Sequence, residues 1–429
     1  MRHFESPKIQ PSYFRKYKVF DKGIYHEVLS TAKKIYGLEV FHINSTAIGG
    51  GVAEILQNQV GLERSLGINS HWLVLKQPKN FFVVTKGLHN LLQGKKGHFS
   101  KTEKELYLRN LEAPGLELSG MLNKKNTKVV VVLHDPQPLP LAGFIPSRIK
   151  IISRIHIDLS EPNPEALRFL KLFLDIPKTV ILSNKLFQPA WLDDERTLIS
   201  YPAINPFDAK NISLSKAEIN SILSRHNIST KSPFILQVSR FDPWKDPIGV
   251  VRAFEYARRK GVAASLILEG SLGSKDDPES ALVFKKLKRW VGNPETVKIF
   301  GPGFKPKVEY RTWINALQSA AMIVLQKSIK EGFGLTVTEA LWKAKPVVGG
   351  NTLGIKAQIQ DQSTGLIVNS PEECGEAIFQ LSKNERLRVK LGQRGKNLVK
   401  KEFLFNRLIL QHLTLYEKLV LGYQKIGNK

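Results

Sequence analysis

The chain has 429 residues, of which 42% are apolar and 24% charged, a globular composition in a chain too long for one hydrophobic core. No apolar run could span a bilayer, the basic N-terminal segment has no apolar signal core, and the single cysteine excludes an internal disulfide, so we expect a cytoplasmic protein. The formal charge of +26 suits nucleic acid, an anionic membrane surface or a phosphorylated small molecule, and does not choose among them.

The spacing of apolar residues predicts strands that alternate with helices in two successive runs. The strands predicted in the first run are 38–43, 128–133, 149–152 and 179–182. After a polar stretch at 224–232, the strands predicted in the second run are 234–238, 264–268, 297–300, 322–325 and 346–348. Fully apolar strands separated by helices are typical of parallel sheets covered on both faces. We therefore predict two parallel α/β halves, with ligands beyond the carboxyl ends of the strands.

The strongest motif runs from Ser328 to Leu341 and follows an apolar strand. It places a turn, Gly332-Phe333-Gly334, at a predicted helix start, with Glu331 in the loop and Glu339 inside the helix. Unpaired amides at a helix N-terminus suit a phosphate or a sugar hydroxyl, and the two carboxylates could contact different parts of one ligand. The same residues also fit a plain glycine turn followed by a solvated carboxylate.

A second motif, Ser239 to Pro247, follows the predicted strand 234–238. Arg240 and Lys245 are two cations in one strand-end loop, and such a pair can neutralise a diphosphate as it leaves. The alternative is a pair of surface cations matched to the neighbouring Asp242 and Asp246.

Three weaker motifs lie in the first half. Gly49-Gly50-Gly51 follows a strand and permits close approach to a ligand, although it is not a dinucleotide-binding fingerprint. His134 to Pro138 closes a second strand, and Arg154 to Asp158 follows a third, where polar groups suit sugar hydroxyls. No set of histidines, cysteines or carboxylates has metal-ligand spacing, so the sequence predicts no metal site.

Together these motifs resemble the retaining glycosyltransferases of GT-B architecture, whose paired-glutamate motif has the spacing of Glu331 and Glu339. The resemblance is narrower to the trehalose synthase family, which transfers glucose from a nucleotide sugar to free glucose. The stretches that carry it are His42–Thr46 with the three glycines, His134–Pro138, Arg154–Asp158, Ser239–Lys245 and Ser328–Leu341. Leu353 stands where the family more usually has glycine, a departure that bears on donor or acceptor selectivity.

The resemblance implies an α/β fold with two Rossmann-like domains whose parallel sheets face a central cleft. Residues 1–225 would form an acceptor domain and residues 230–407 a nucleotide-sugar donor domain, with the C-terminal helix 408–429 packing back on the first. The implied activity is a reversible, retaining hexosyl transfer from UDP-glucose or ADP-glucose to glucose, forming trehalose.

The resemblance also implies roles for residues at matching positions. The implied catalytic residues are Arg240, Lys245, Glu331 and His134. The implied donor-binding residues are Gly50, Gly51, Arg240, Lys245, Phe333, Gly334, Leu335 and Glu339. The implied acceptor-binding residues are His134, Asp135, Arg154, His156 and Asp158. In this scheme the two cations hold the diphosphate, Glu331 contacts the transferred sugar and Glu339 binds the ribose.

The expected partners are small molecules, namely the nucleotide-glucose, glucose and trehalose, with no nucleic acid and no covalently bound cofactor. The sequence leaves open whether Mg²⁺ accompanies the donor and whether the protein forms a homodimer. Three other functions also stay open. A membrane-surface glycosyltransferase with a lipid-linked acceptor would suit the charge, and a trehalose phosphorylase would share the fold. A non-enzymatic nucleic-acid binder would show salt-dependent binding and no donor turnover.

Overall fold

The computed structural model describes residues 2–48, 50–125, 127–270, 278–291 and 295–422. The chain divides into two compact units. The first contains the residues up to Pro202 and those from Phe405 onward, and the second contains Ala203–Leu404.

These bounds differ from the boundary predicted near residue 225, because the segment 203–225 lies in the second unit. The side-chain amide of Asn315 donates to the carbonyl oxygens of Ala209 at 2.9 Å and Ile212 at 2.8 Å. The indole N–H of Trp342 donates to the carbonyl of Asn211 at 3.0 Å. These contacts hold the segment to the second unit, so the boundary lies before the polar stretch at 224–232 that the sequence analysis used to divide the two runs.

The first unit is built on a seven-stranded sheet. Its strands are β1 (Phe4–Glu5), β2 (Glu39–Asn44), β3 (Asn69–Leu75), β4 (Val129–His134), β5 (Lys150–Ile155), β6 (Thr179–Leu182) and β7 (Thr197–Ile199). Its helices up to this point are α1 (Lys22–Lys34), α2 (Gly51–Ser65), α3 (Lys79–Leu92), α4 (Lys101–Asn123) and α5 (Pro164–Leu174). The sheet order is β1-β3-β2-β4-β5-β6-β7, and every pair is parallel except the antiparallel edge pair β1–β3.

The second unit is built on a six-stranded parallel sheet. Its strands are β8 (Phe234–Val238), β9 (Ser265–Glu269), β10 (Val297–Phe300), β11 (Ile323–Gln326), β12 (Val347–Gly350) and β13 (Leu366–Val368). Its helices are α6 (Lys216–Ser224), α7 (Pro247–Arg259), α8 (Pro278–Trp290), α9 (Tyr310–Ala320), α10 (Leu335–Trp342), α11 (Leu353–Lys356), α12 (Pro371–Lys383) and α13 (Glu385–Glu402). The sheet order is β10-β9-β8-β11-β12-β13.

The predicted parallel α/β halves are confirmed, and the central strands explain why the sequence signal was strong. Val129–His134 is buried at every position, as is Phe234–Val238. A strand covered on both faces by helices needs apolar side chains at every position, and β-branched residues suit it best. The edge strands β1, β7 and β13 and the inner strand β3 were not predicted.

Each sheet reverses its strand order beside its first parallel strand. In the first unit the reversal falls between β2 and β4, and in the second it falls between β8 and β11. The connections on the two sides of such a point run to opposite faces of the sheet, which leaves a crevice at the carboxyl ends of the strands. Ligands of open α/β sheets bind in that crevice, so these two points are where candidate sites are sought.

The last helix, α14 (Phe405–Leu421), packs in the first unit, mainly against α1. The predicted C-terminal helix was expected on this domain, and its residues 423–429 lie outside the described part of the chain. The single cysteine, Cys374, is buried on α12, and burial raises the pKa of its thiol to about 12. Of the described helices, none is long and apolar enough to span a membrane.

The inner face of α14 gives a test of this packing. Leu413 is fully buried, whereas Leu116 on α4 is 67% exposed. Leu413→Ala is expected to lower the free energy of unfolding by about 2–5 kcal/mol, because the lost burial is combined with a cavity. Leu116→Ala should stay within about 0.5 kcal/mol of the parent in the same urea titration. Equal effects would mean that α14 does not pack as described.

Candidate functional site

The reversal point of the second sheet brings together two side chains from different motifs. Lys245 follows β8, Glu331 follows β11, and their Nζ and Oε2 atoms form an ion pair across 86 residues of sequence. The same Oε2 accepts hydrogen bonds from Ser328 Oγ at 3.1 Å and Gln326 Nε2 at 3.3 Å. Three donors thus converge on one carboxylate oxygen. Within the described residues, Oε1 of Glu331 has no hydrogen-bond partner and is available to a ligand.

The loops that carry this pair are fixed to one another. The amide of Ile329 donates to the carbonyl of Trp244 at 2.7 Å, and the side chain of Gln237 donates to the carbonyl of Lys245 at 2.9 Å. Gly350, the last residue of β12, lets that strand approach the backbone of Ser328 closely. A Cβ at Gly350 would lie 2.1 Å from the carbonyl oxygen of Ser328, so any larger residue would push the loop away.

The other charged residues of the strand-end loop have separate roles. Arg240 pairs with Asp242 at 2.7 Å, as one alternative predicted, and its side chain is 36% exposed. Asp246 does not pair with Lys245. It accepts from the amide of Gly249 at 3.0 Å, which caps α7, and it forms an ion pair with Lys327. Lys245 therefore pairs with Glu331, whereas Arg240, the other cation of this loop, pairs with Asp242.

The glycine turn starts α10 as the sequence predicted. Gly334 has φ of 87°, the left-handed region that glycine adopts without strain, and no side chain caps the helix. The first amides of the helix, beginning at Leu335, are those left without intrahelical acceptors, and they carry the positive end of the helix dipole. Phe333 is buried against Phe403, with ring centroids 5.5 Å apart. The turn thus places the positive end of a helix beside Glu331, an arrangement that would suit an anion.

Glu339 does not join this group. Its side chain is fully buried on α10, where it pairs with Lys210 at 2.6 Å and accepts from Gln318 at 3.2 Å. Lys210 belongs to the segment that the sequence analysis had placed in the other domain. The sequence gives no signal for this pair, because its members are far apart in the chain.

The reversal point of the first sheet holds a row of histidines. His42 on β2 is in register with Val132, two residues before His134, so the two rings lie on one face of the sheet. His42 Nδ1 lies 3.0 Å from His134 Nε2, and His134 Nδ1 lies 3.0 Å from His156 Nε2. At the inner end, His42 Nε2 lies 3.0 Å from Oε2 of Glu63 on α2. The row runs from a fully buried carboxylate to the partly exposed ring of His156.

Three of the predicted acceptor-side residues line the outer end of this row. Asp135 has φ of 65°, and its Oδ1 accepts from the backbone N–H of His156 at 2.7 Å. Burial raises the pKa of Asp135 to about 7. Arg154 is 2% exposed and donates through Nη2 to the carbonyl of Ser200 at 2.6 Å. Its Nη1 is buried and, among the described residues, has no hydrogen-bond partner.

The remaining predicted residues lie apart from these contacts. Asp158 is buried, and its Oδ1 accepts from the amide of Ser160 at 2.8 Å, so it stabilises a turn. Gly50 is exposed at the N-cap of α2, where an added Cβ would meet no atom within 4 Å, and Gly51 begins the helix. Gly49 lies outside the described residues.

Sequence reasoning did not single out Glu63, Gln326 or Lys210, and it named Ser328 only as the first residue of a motif, without a role. Glu63 had a signal, because Gln59 and Glu63 stand four apart on the apolar face of α2, where polar residues are unexpected. Both are buried, and Gln59 donates to Glu63 at 2.9 Å.

Comparison with known proteins shows the family to which the chain belongs. Residues 42–189 match the family model "Trehalose synthase, N-terminal domain", and residues 218–398 match "Glycosyl transferases group 1". Trehalose synthase of Pyrococcus horikoshii is 37% identical over 92% of this chain and 93% of its own length. The chain belongs to the trehalose synthase family. Another member, from Rubrobacter xylanophilus, is 34% identical over 94% of this chain and 95% of its own length.

The fold is shared more widely than the family. Sucrose-phosphate synthase of Thermosynechococcus elongatus superposes with a TM-score of 0.69 at 15% identity, covering 90% of this chain and all of that one. The predicted GT-B fold of this trehalose synthase family member is thereby confirmed, and the protein is a glycosyltransferase.

The raised pKa of Asp135 gives a stability test. Between the usual pKa of 3.8 and about 7, Asp135 holds a proton in the folded protein that it has lost in the unfolded chain. The contribution of this proton to the free energy of unfolding therefore falls as pH rises through this range. Asp135→Asn keeps an acceptor oxygen and tolerates the left-handed backbone. We expect this variant to gain at least about 1 kcal/mol on the parent between pH 5 and pH 8 in urea titrations. The exposed Asp193→Asn should show no such gain, and a pH-independent Asp135→Asn effect would contradict the buried carboxyl.

Proposed function

We propose that the protein transfers glucose from UDP-glucose or ADP-glucose to glucose, with retention and reversibly, to form trehalose. The observation that carries the proposal is the contact of Lys245 with Glu331 at the reversal point of the second sheet, beside the uncapped start of α10. Family membership supports it, since the relatives that match nearly the whole chain are trehalose synthases.

The donor site proposed for the second unit assigns a role to each charge. Glycosyl transfer passes through a state with positive charge on the sugar and growing negative charge on the departing diphosphate. Arg240 and Lys245 would stabilise that diphosphate, and they would do so more strongly in the transition state than in the bound donor. The amides near Phe333 to Leu335 would add the field of the helix start.

Glu331 is proposed to bind the hydroxyls of the transferred glucose through its available Oε1. Because Lys245, Ser328 and Gln326 all hold Oε2, the carboxylate plane is fixed before the sugar arrives. A prearranged acceptor needs no reorganisation in the transition state. Glu339 is proposed for the ribose, which it would have to reach while paired with Lys210.

The acceptor side is proposed for the first unit. Asp135, Arg154 and His156 lie together at the strand ends, and the unpartnered Nη1 of Arg154 is a buried donor that a sugar oxygen would satisfy. His134 is 2% exposed and both its ring nitrogens contact other histidines, so it would act through His156. Asp158 would support the loop, and Gly50 and Gly51 would allow close approach of the donor.

The deciding assay measures nucleotide release from UDP-glucose and ADP-glucose, with and without free glucose, followed by trehalase digestion of the product. Glucose-dependent release of a trehalase-sensitive disaccharide is the expected result. Release without that product would move the acceptor to a lipid or another sugar. If neither donor turns over but phosphate cleaves trehalose, the protein is a phosphorylase, as are relatives such as that of Pleurotus sajor-caju at 24% identity.

Lys245→Ala tests the donor site. We expect kcat/KM for the nucleotide sugar to fall by at least about tenfold, because the cation beside the leaving diphosphate is lost. The matched control is Lys260→Ala, which breaks the outer ion pair with Glu376, where both side chains are substantially exposed. That variant should keep the parent value. An unchanged kcat/KM in Lys245→Ala would remove this lysine from the site.

A further inference from the structure

The edge of the first sheet where its strands begin holds a cavity that none of the contacts described above uses. Its volume is about 580 Å³, and its apolar lining consists of Val129, Ile149 and Val420. Strand β4 runs from this cavity, at Val129, to His134 at the opposite edge, roughly 17 Å away. Sites for small molecules have volumes of about 300–1,000 Å³, so the cavity could hold one.

The polar lining of the cavity is strongly basic. Lys125, Lys128, Arg148 and Lys150 contribute to it, and among the described residues no carboxylate does. The charge of Lys125 is balanced, because its Nζ lies 2.6 Å from Oε1 of Glu39, which begins β2. The other three cations have no carboxylate partner in the described part of the chain.

Arg148 is held in place by the end of a helix. Its Nη2 donates to the carbonyl of Leu122 at 2.9 Å, and its Nη1 donates to Oδ1 of Asn123 at 3.2 Å. Both acceptors belong to the last turn of α4, where backbone carbonyls lack intrahelical donors. Because carbonyl and amide oxygens carry no net charge, they fix the guanidinium without neutralising it.

Lys128 and Lys150 project from one face of the sheet. Val130 of β4 is in register with Lys150 of β5. The carbonyl of Lys128 accepts from the amide of Glu39 at 3.1 Å, which extends the ladder between β2 and β4 by one residue. Lys128 and Val130 therefore share a face, and Lys150 shares it with them. Across the described ranges, neither lysine side chain has a hydrogen-bond or ion-pair partner.

The three uncompensated cations line one cavity and repel one another. Neighbouring strands are about 4.8 Å apart, and like charges on them destabilise a sheet. Lysines on an exposed surface can move apart, whereas Lys150 is half-buried and Arg148 is tied to α4. An anion bound among the three cations would replace this repulsion by attraction.

We propose that this cavity binds a small molecule with two linked phosphate groups, at a site distinct from the proposed donor site. One phosphate ester carries about 1.5 to 2 negative charges at neutral pH, so two linked groups match three cations better than one does. The lysines would act as point charges. A guanidinium has five N–H donors, and Nε of Arg148 donates to no described residue, so it is available to a phosphate oxygen. The site does not depend on the proposed activity, because it lies in the first unit.

The cavity is larger than a diphosphate, and its apolar side chains could hold an attached ring. Inorganic pyrophosphate and the diphosphate esters of nucleosides share the chemistry that the cations recognise. Tighter binding of the ester would indicate that its ring packs on Val129, Ile149 and Val420. Equal binding would indicate that the phosphates alone are recognised.

The test is a calorimetric titration of the full-length protein with pyrophosphate and with ADP at constant ionic strength. All proteins carry Lys245→Ala, which weakens the proposed donor site, so that the heat reports on the cavity. In Lys128→Gln/Lys150→Gln we expect the affinity for pyrophosphate to fall by at least about tenfold, because two charge-assisted contacts are lost. The matched control is Lys390→Gln/Lys400→Gln, which removes two exposed charges of α13 and should bind like the parent.

Three results would overturn the proposed site. They are no pyrophosphate binding to the parent, unchanged binding in the cavity variant, and equal losses in the cavity variant and the control, which would show general attraction to a basic protein. If a short DNA duplex binds through the cavity lysines and pyrophosphate does not, the surface is a nucleic-acid site instead.

A urea titration without ligand separates lost binding from lost folding. The cavity variant should be at least as stable as its parent, because the repulsion between Lys128 and Lys150 is relieved. If it is less stable, the single variant Lys150→Gln takes its place in the calorimetric comparison, with Lys390→Gln as its control.

Discussion

Parallel strands all end at the same edge of their sheet, and the candidate site depends on this constraint. Where the strand order reverses, two neighbouring strands deliver their following loops to one crevice. That is how Lys245 and Glu331 meet, although they are 86 residues apart. The same rule aligns His42 with His134 in the first sheet. Glycine then allows the loops to approach, since a side chain at Gly350 would overlap the backbone of Ser328.

The two units share a fold but differ in the side chains that line their crevices. The crevice of the second unit holds the charged pair Lys245 and Glu331 among buried polar residues such as Gln326 and Ser328, which suits a ligand that gains charge as it reacts. The crevice of the first unit is lined by His134 and His156, whose pKa values burial holds well below the usual 6.5, and by one buried guanidinium, Arg154, which is bonded to the backbone at Ser200. Fixed directions suit hydroxyl groups, which differ from one sugar to another in orientation more than in charge. These side chains fit the proposed division between charge stabilisation in the second unit and hydroxyl recognition in the first.

Local and strongly apolar features of the fold could be predicted from sequence, while pairing across the chain could not. The continuous valines of β4 and the glycine turn before α10 each carry their own signal. Strand β3 was missed because Asn69–Leu75 begins with polar residues and alternates imperfectly, and β13 has only three residues. The pair Arg240–Asp242 is local and was anticipated, whereas Glu339–Lys210 requires the folded chain. Glu63 was overlooked because a glutamate in a helix usually faces solvent.

The single cysteine has a practical consequence. A thiol becomes a nucleophile only as the thiolate, and Cys374 is buried with its pKa raised to about 12, so almost none of it ionises at neutral pH. Alkylating reagents and mild oxidants that act on thiolates should therefore leave Cys374 unmodified in the native chain. A cysteine introduced at an exposed position would be the reactive one, and two such positions would accept a pair of dyes without first removing a native residue. The natural sequence is thus already suited to following its own motions by fluorescence during turnover.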